Sequence, residues 1–353
     1  MKKVFLLSIL IAAFSGLGNL NAQQRFRMSS DIDRRVGPRT TFQKPIAFDV
    51  ADHTVLFEGI IFSGGTYLFD AVNTRGLITD REDTPVGFYG GLFDLRVARK
   101  MSNALTYGFD GRFQLTGEGG RDTLNDERFD VYLRGRYGQI SYGNFADRNA
   151  LLLSGSTTLS GEANLFFDGY FDPSFNRAFR YRGRFGSFLV DAAIDDDGKA
   201  YNLGLLYRSP TPTRKDSFSF DYHGADDYLG LYERDGFTAG YGTSYGSFDV
   251  KVAAAWDQFD PHANFDTFER VAGTLCASYK YHAFTWSAGL MVAETNGGDL
   301  ETTYTAGLRY DMARGVSLNT GWFYVDSDSV GTDGNPITAG DFSGVRTSIS
   351  YRF

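Results

Sequence analysis

Two short stretches of this chain place their arginines on one phase of a two-residue alternation. Arg180, Arg182 and Arg184 alternate with Phe179, Tyr181, Gly183 and Phe185, and Arg128, Asp130, Tyr132, Arg134 and Arg136 alternate with Phe129, Val131 and Leu133. A period of two is that of a β-strand, so each stretch carries guanidiniums on one face and oily side chains on the other. The same phase places Asp94 and Arg96 opposite Phe93, Leu95 and Val97, and Asp110 and Arg112 opposite Phe109 and Phe113. A row of guanidiniums does one of two things. It grips phosphate, sulfate or carboxylate through paired N–H donors, or it sets the field across an aqueous passage. A plainer reading pairs the arginines with Asp94, Asp110 and Asp130 in ladders along one wall.

The carboxylates that could answer these arginines lie between the two rows. Residues 145–175 contain Leu151, Leu152 and Leu153, several Ser, Thr and Gly residues, and then Glu162, Asp168 and Asp172 among Phe166, Phe167, Tyr170 and Phe171. This connection is too long and too apolar for a bare surface loop. Folded inward, it would bury its aromatics against a wall. Its three carboxylates would then face the basic side made of Arg96, Arg112, Arg128, Arg134, Arg136, Arg180, Arg182 and Arg184. Opposed charges across a narrow aqueous gap make a transverse field.

Other chemistries find less support. The four histidines are His53, His223, His262 and His282, and only His223 sits on an obvious strand, with no nucleophile paired to it. A hydrolase built on a membrane barrel needs such a pair, and it stands as the alternative of another class. Asp195-Asp196-Asp197-Gly198 lacks the spacing and closing Glu of an EF-hand loop and reads as a hairpin turn. No metal and no cofactor are expected. The single Cys276 cannot form an internal disulfide and reads as an inert strand residue. A net charge of −8 and a pI near 5.1 argue against nucleic acid as a partner.

The elements that must hold the arginines are strands throughout. Period-two alternation returns at Phe248, Val250, Val252, Ala254 and Trp256, at Phe284, Trp286, Ala288, Leu290 and Val292, and at Val316, Leu318, Thr320, Trp322 and Tyr324. It returns finally at Val345, Thr347, Ile349, Tyr351 and Phe353. Arginine facing lipid at the bilayer midplane costs about 2–4 kcal/mol, so the oily faces must look to hydrocarbon and the charged faces to a lumen. Aromatics at the ends of the oily rows, 42 Gly and only 8 Pro fit such a barrel. Tight connections (136–138, 245–247, 280–282 and 313–315) alternate with longer acidic ones (79–84, 122–127, 195–199, 257–266 and 326–341). A crossing of roughly 9–11 residues leads to about 16 strands, with residues 228–234 assigned to a loop.

Residues 1–22 have the charged start, apolar run and small residue of a secretory signal. That run is too short to cross a bilayer as a helix, and the mean hydropathy of the chain is −0.27. Residues 23–53 lack alternation and read as a periplasmic extension of unknown role or as a segment that partly enters the lumen, and residues 54–353 read as the barrel. The fold class expected is an all-β, transmembrane, antiparallel up-and-down barrel with an inward-folded constriction loop.

Four segments resemble the Gram-negative general porins, the trimeric 16-stranded family. Thr54-Val55-Leu56-Phe57-Glu58-Gly59-Ile60 is similar to that family's first strand. Tyr137-Gly138-Gln139-Ile140-Ser141-Tyr142-Gly143-Asn144 resembles the strand leading into its constriction loop, with Asn144 where the family has Arg. Asn176-Arg177-Ala178-Phe179-Arg180-Tyr181 resembles the strand after that loop, with Arg177-Ala178 where Ser is usual. Ser350-Tyr351-Arg352-Phe353 matches the family's ending. The resemblance implies passive diffusion of small hydrophilic solutes and ions through the outer membrane. It also implies a homotrimer in outer-membrane lipid, and an assembly signal at Tyr351 and Phe353 that the outer-membrane assembly machinery reads. A channel selective for anions such as phosphate or carboxylate is the alternative on the same fold.

Overall fold

The computed structural model describes residues 46–69, 86–101, 105–118, 121–146, 174–209, 214–228, 232–262, 266–296, 300–313, 315–326 and 342–353. All regular elements among them are strands. In chain order these are β1 (Ile46–Val50), β2 (His53–Phe69), β3 (Val86–Lys100), β4 (Thr106–Glu118), β5 (Arg121–Gly135) and β6 (Gly138–Ala146). They continue with β7 (Ser174–Phe185), β8 (Phe188–Asp195), β9 (Ala200–Arg208), β10 (Arg214–Tyr228), β11 (Tyr232–Tyr245) and β12 (Phe248–Pro261). The last are β13 (Phe268–Tyr281), β14 (Phe284–Thr295), β15 (Glu301–Ala313), β16 (Val316–Asp326) and β17 (Phe342–Arg352).

Each strand from β2 to β17 pairs antiparallel with the next in sequence, and β17 pairs back onto β2, so sixteen strands close a barrel. Closure leaves none of these strands as an open edge, which is what a sheet in hydrocarbon requires. At the seam, Ser343 lies opposite Phe69 and Arg352 opposite Ile60. Phe353 extends the pairing, exchanging backbone hydrogen bonds of 3.1 and 3.2 Å with Gly59. Its ring packs near Phe57 and Phe93, with centroids 5.6 and 6.4 Å away. Gly59 has no Cβ, which would stand 3.0 Å from the Phe353 ring, and so admits this close approach.

The polarity of the wall is the reverse of a soluble protein's. On β5, Phe129 and Val131 are 52% and 51% exposed while Asp130 between them is 0% exposed. The same holds on β7, where Phe179 is exposed and Arg180 buried, and on β10, where Phe218 and Phe220 are exposed and Asp221 and His223 buried. Oily side chains therefore cover the outer surface and polar ones the inside, as the alternation predicts. The outward aromatics Tyr279, Trp286, Phe284 and Tyr310 form a stacked row near the end that carries the tight turns and Phe353. Those turns sit at residues 136–137, 186–187, 246–247 and 282–283, and Gly186 and Gly246 take φ near +60° there.

Three boundaries differ from the sequence reading. Residues 122–127, expected as a loop, belong to β5, where Asp122 pairs with Gly117 and Asp126 with Phe113. Residues 228–234 are not one loop: β10 runs to Tyr228 and β11 starts at Tyr232, and Asp257 to Pro261 are likewise the end of β12. Acidic content suggested a loop at 122–127 and 257–261, and the even count of strands suggested one at 228–234, but the ladders run on through the first two and resume at Tyr232 in the third. The stretch 23–53 also ends in structure: β1 turns through Ala51 and pairs with His53 to Phe57 of β2. It lies end to end with β17 along the same edge of β2. The signal segment 1–22 lies outside the described residues.

Candidate functional site: the polar inner wall

The inner wall is densely charged from β2 to β12, and from β13 to β17 it carries more hydroxyls, with the Arg309–Asp311 pair at 2.8 Å, Arg346 and Arg352 among them. On β3 and β4 the charges cross between strands. Arg96 Nε donates to Asp110 Oδ1 at 2.8 Å, and Arg112 donates to both oxygens of Asp94 at 2.8 and 3.3 Å. Register makes this possible, since Arg96 stands opposite Asp110 and Asp94 opposite Arg112. Asp130 of β5 faces Asp110 from the other side, and Glu58 of β2 faces Asp94. The expected wall ladder with Asp94 and Asp110 is thus present.

The next group spans β5 to β8. Arg134 donates twice to Gln139 Oε1, at 2.9 and 2.7 Å, and its guanidinium lies 5.0 Å from the centre of the Tyr132 ring. Arg180 grips Asp191 with both arms, Nε at 2.7 Å and Nη2 at 2.6 Å. Arg182 reaches the same carboxylate at 2.5 Å. Two guanidiniums therefore share one carboxylate, with Arg180 and Asp191 buried and Arg182 partly open to the bore. Asp191 was not singled out from sequence.

Two of the arginines belong elsewhere. Arg136 sits in the turn between β5 and β6, exposed, with its guanidinium 5.5 Å from the Tyr137 ring centre. Arg184, at the end of β7, donates to Gly186 O at 3.2 Å and is exposed at the tight turn. Both were expected in the wall row; Arg136 falls in the turn itself, and Arg184 ends the row of β7 at the exposed rim, opposite Leu189 of β8. Arg128 pairs through its backbone with Arg112 on β4 and Phe145 on β6. Glu162, Asp168 and Asp172 lie outside the described residues.

A third group, on β9 to β12, escaped the sequence reading except for its histidine. Asn202 donates to both oxygens of Asp221 at 2.7 Å. His223 faces Asp221 at 3.4 Å and Asp257 at 2.8 Å, and Arg234 Nε donates to Asp257 at 2.7 Å. The bond from His223 to Asp257 joins β10 to β12 by passing over Gly236 of β11. A Cβ at that position would collide with Asp257 Oδ1 and stand 2.8 Å from His223 Nε2. The ring nitrogens of His223 thus face carboxylates and not a nucleophile.

On the opposite arc, β13 to β17 present Thr274, Thr303, Ser317, Asn319 and Ser350 inward, and Ser317 and Ser350 bond across the strands at 2.8 Å. Cys276 is buried among them and forms no disulfide among the described residues. Among the described residues there is no group of three or more His, Cys, Asp or Glu that could hold a metal ion.

A closed barrel with a greasy exterior and an interior of ion pairs and hydroxyls is an outer-membrane channel, able to carry water and hydrophilic solutes. The family model of the Gram-negative porins matches residues 47–330, and the chain belongs to that family, whose barrels serve passive diffusion. No curated protein sequence matches the chain. Among solved structures, the outer membrane channel DcaP of Acinetobacter baumannii superposes with a TM-score of 0.63 at 12% identity, covering 86% of this chain and 99% of its own. The outer membrane protein OmpT of Vibrio cholerae superposes at 0.61 with 13% identity, covering 87% and 100%. An anion-selective porin from Comamonas acidovorans gives 0.60 with 16% identity, covering 85% and 100%. At these identities the likeness concerns the fold.

Proposed function

We propose that the barrel is a general diffusion porin whose bore is narrowed by the connection between β6 and β7, with a transverse field at the narrowing. Arg96, Arg112, Arg134, Arg180 and Arg182 form the basic side, and Glu162, Asp168 and Asp172 of the connection form the acidic side. The observation that carries the channel is the inverted polarity of the wall, with Val131 and Phe179 exposed outside and Asp130 and Arg180 sealed inside. The length and aromatic content of residues 147–173 support an inward course for the connection, because a long apolar segment gains by burying its rings against a wall. The barrel works as a channel and not as a catalyst, since His223 has carboxylate partners on both sides.

Preference for anions is the second reading. Arg180 and Arg182 share the single carboxylate of Asp191, which leaves this part of the wall with an excess positive charge. The Comamonas acidovorans neighbour is described as anion-selective. The oligomer proposed is a homotrimer, in line with the trimer form described for the Vibrio cholerae protein. Residues 1–22 direct export, and Tyr351 and Phe353 are proposed as the signal for the assembly machinery.

Planar-bilayer recording on purified protein tests the channel. Stepwise conductance that closes in threes is the outcome foreseen, and a silent bilayer at high protein would refute it. The reversal potential in a salt gradient then chooses between the general and the anion-selective reading.

A further inference from the structure

The cluster around His223 has no part in the arginine rows, and its construction is unusual. Four polar side chains, each no more than 3% exposed, converge from three neighbouring strands: Asp221 and His223 on β10, Arg234 on β11 and Asp257 on β12. From β9, Asn202 adds a neutral amide that holds Asp221 by both oxygens. The imidazole is fixed between two carboxylates because position 236 is glycine. Through Gly204 on β9, Asp221 also approaches Asp191, which Arg180 and Arg182 hold.

An imidazole is the one side chain here whose ordinary titration falls between pH 5 and 8. With His223 neutral, Asp221, Asp257 and Arg234 leave the cluster with one net negative charge. With His223 protonated, that charge is cancelled. Asp221 and Asp257 face the two ring nitrogens at 3.4 and 2.8 Å, and Arg234 holds Asp257 at 2.7 Å.

We infer that His223 is a selectivity-determining residue of the bore: proton uptake by its ring, held between Asp221 and Asp257, removes one negative charge from the β9–β12 wall and lowers the preference for cations. This inference rests on the channel reading above. A purely structural stitch across Gly236 would use the same hydrogen bonds but would give no dependence of ion preference on pH.

The test is the reversal potential of the purified full-length barrel in planar bilayers, in a KCl gradient at low ionic strength, from pH 5.5 to 8.5. One unit of wall charge felt about 10 Å away at a Debye length of about 30 Å changes the cation-to-anion permeability ratio by about two- to three-fold. The wild-type ratio should rise by that factor as pH increases, and His223→Gln should be flat across the range. Asp221→Asn, which removes one of the two facing carboxylates, should keep the rise but move its midpoint to lower pH. A wild-type ratio independent of pH would overturn the inference. So would a His223→Gln barrel that keeps the wild-type slope, or an Asp221→Asn midpoint that does not move. Loss of conductance altogether in the wild type would refute the channel itself, whereas conducting barrels with an unaltered slope would refute the role of His223 alone.

Discussion

Reversing one charge at Arg182 probes the wall most directly. Its guanidinium sits on the inner face of β7, partly open to the bore, and shares Asp191 with Arg180. Arg182→Glu changes the wall by two units of charge while leaving Arg180 a carboxylate partner. At about 10 Å in water each unit contributes about 0.4 kcal/mol to the energy of a passing monovalent ion, so two contribute about 0.8 kcal/mol before screening. At 0.1 M salt the Debye length is about 10 Å, which reduces this to about 0.3 kcal/mol. Cation and anion feel it with opposite sign, so the discrimination doubles and the cation-to-anion permeability ratio rises about three-fold. At 0.01 M salt, where the Debye length is about 30 Å, the same reasoning yields about seven-fold. The assay is the reversal potential in KCl gradients at both ionic strengths, with heat-modifiable mobility confirming a folded barrel. A ratio that does not move would remove Arg182 from the ion path. A shift equal at both salt concentrations would refute the claim that the charge acts through the water of the bore.

Further tests address the outer face and the seam. Val131→Arg places a guanidinium on the exposed side of β5 and should cost about 2–4 kcal/mol if that site lies near the bilayer midplane. Urea titration of folding into vesicles reads this directly, and a cost near zero would mean that Val131 does not meet hydrocarbon. Deleting Phe353 removes both backbone hydrogen bonds to Gly59 and the ring contacts with Phe57 and Phe93, together about 2–4 kcal/mol. The yield of heat-modifiable barrel should fall, and a normal yield would count against the seam as an assembly element. Gly236→Val should lower the urea midpoint, because its side chain would collide with Asp257 and His223; an unchanged midpoint would show that the cross-strand link is dispensable.

Much of this barrel is legible from alternation alone. Phe129, Val131 and Leu133 against Asp130 and Arg134 declare both the strand and its two solvents, because only a lumen can take the charges once lipid takes the rings. The pairings demand more, since a partner is defined by register. Asp191 could have been found: the two-residue turn at Gly186 and Ser187 sets it opposite Arg182. The link between His223 and Asp257 could not be found this way, because it needs the registers of β10–β11 and β11–β12 together and a glycine between them. Residues 122–127 misled for a different reason. Their acidic composition resembles a loop, yet the ladder between β4 and β5 runs on through them with no oily face to announce it.

The closure of β17 on β2 has a consequence for how the ring is made. All other joints unite consecutive strands and can form as local hairpins, but β2 must wait for the last strand before its second side is occupied. Until then the curved sheet exposes two raw margins, each a template on which another copy could add a strand. The short β1 lies over the part of β2 that β17 never reaches, from His53 to Phe57. In the closed ring it continues the pairing of that edge of β2 beyond the reach of β17.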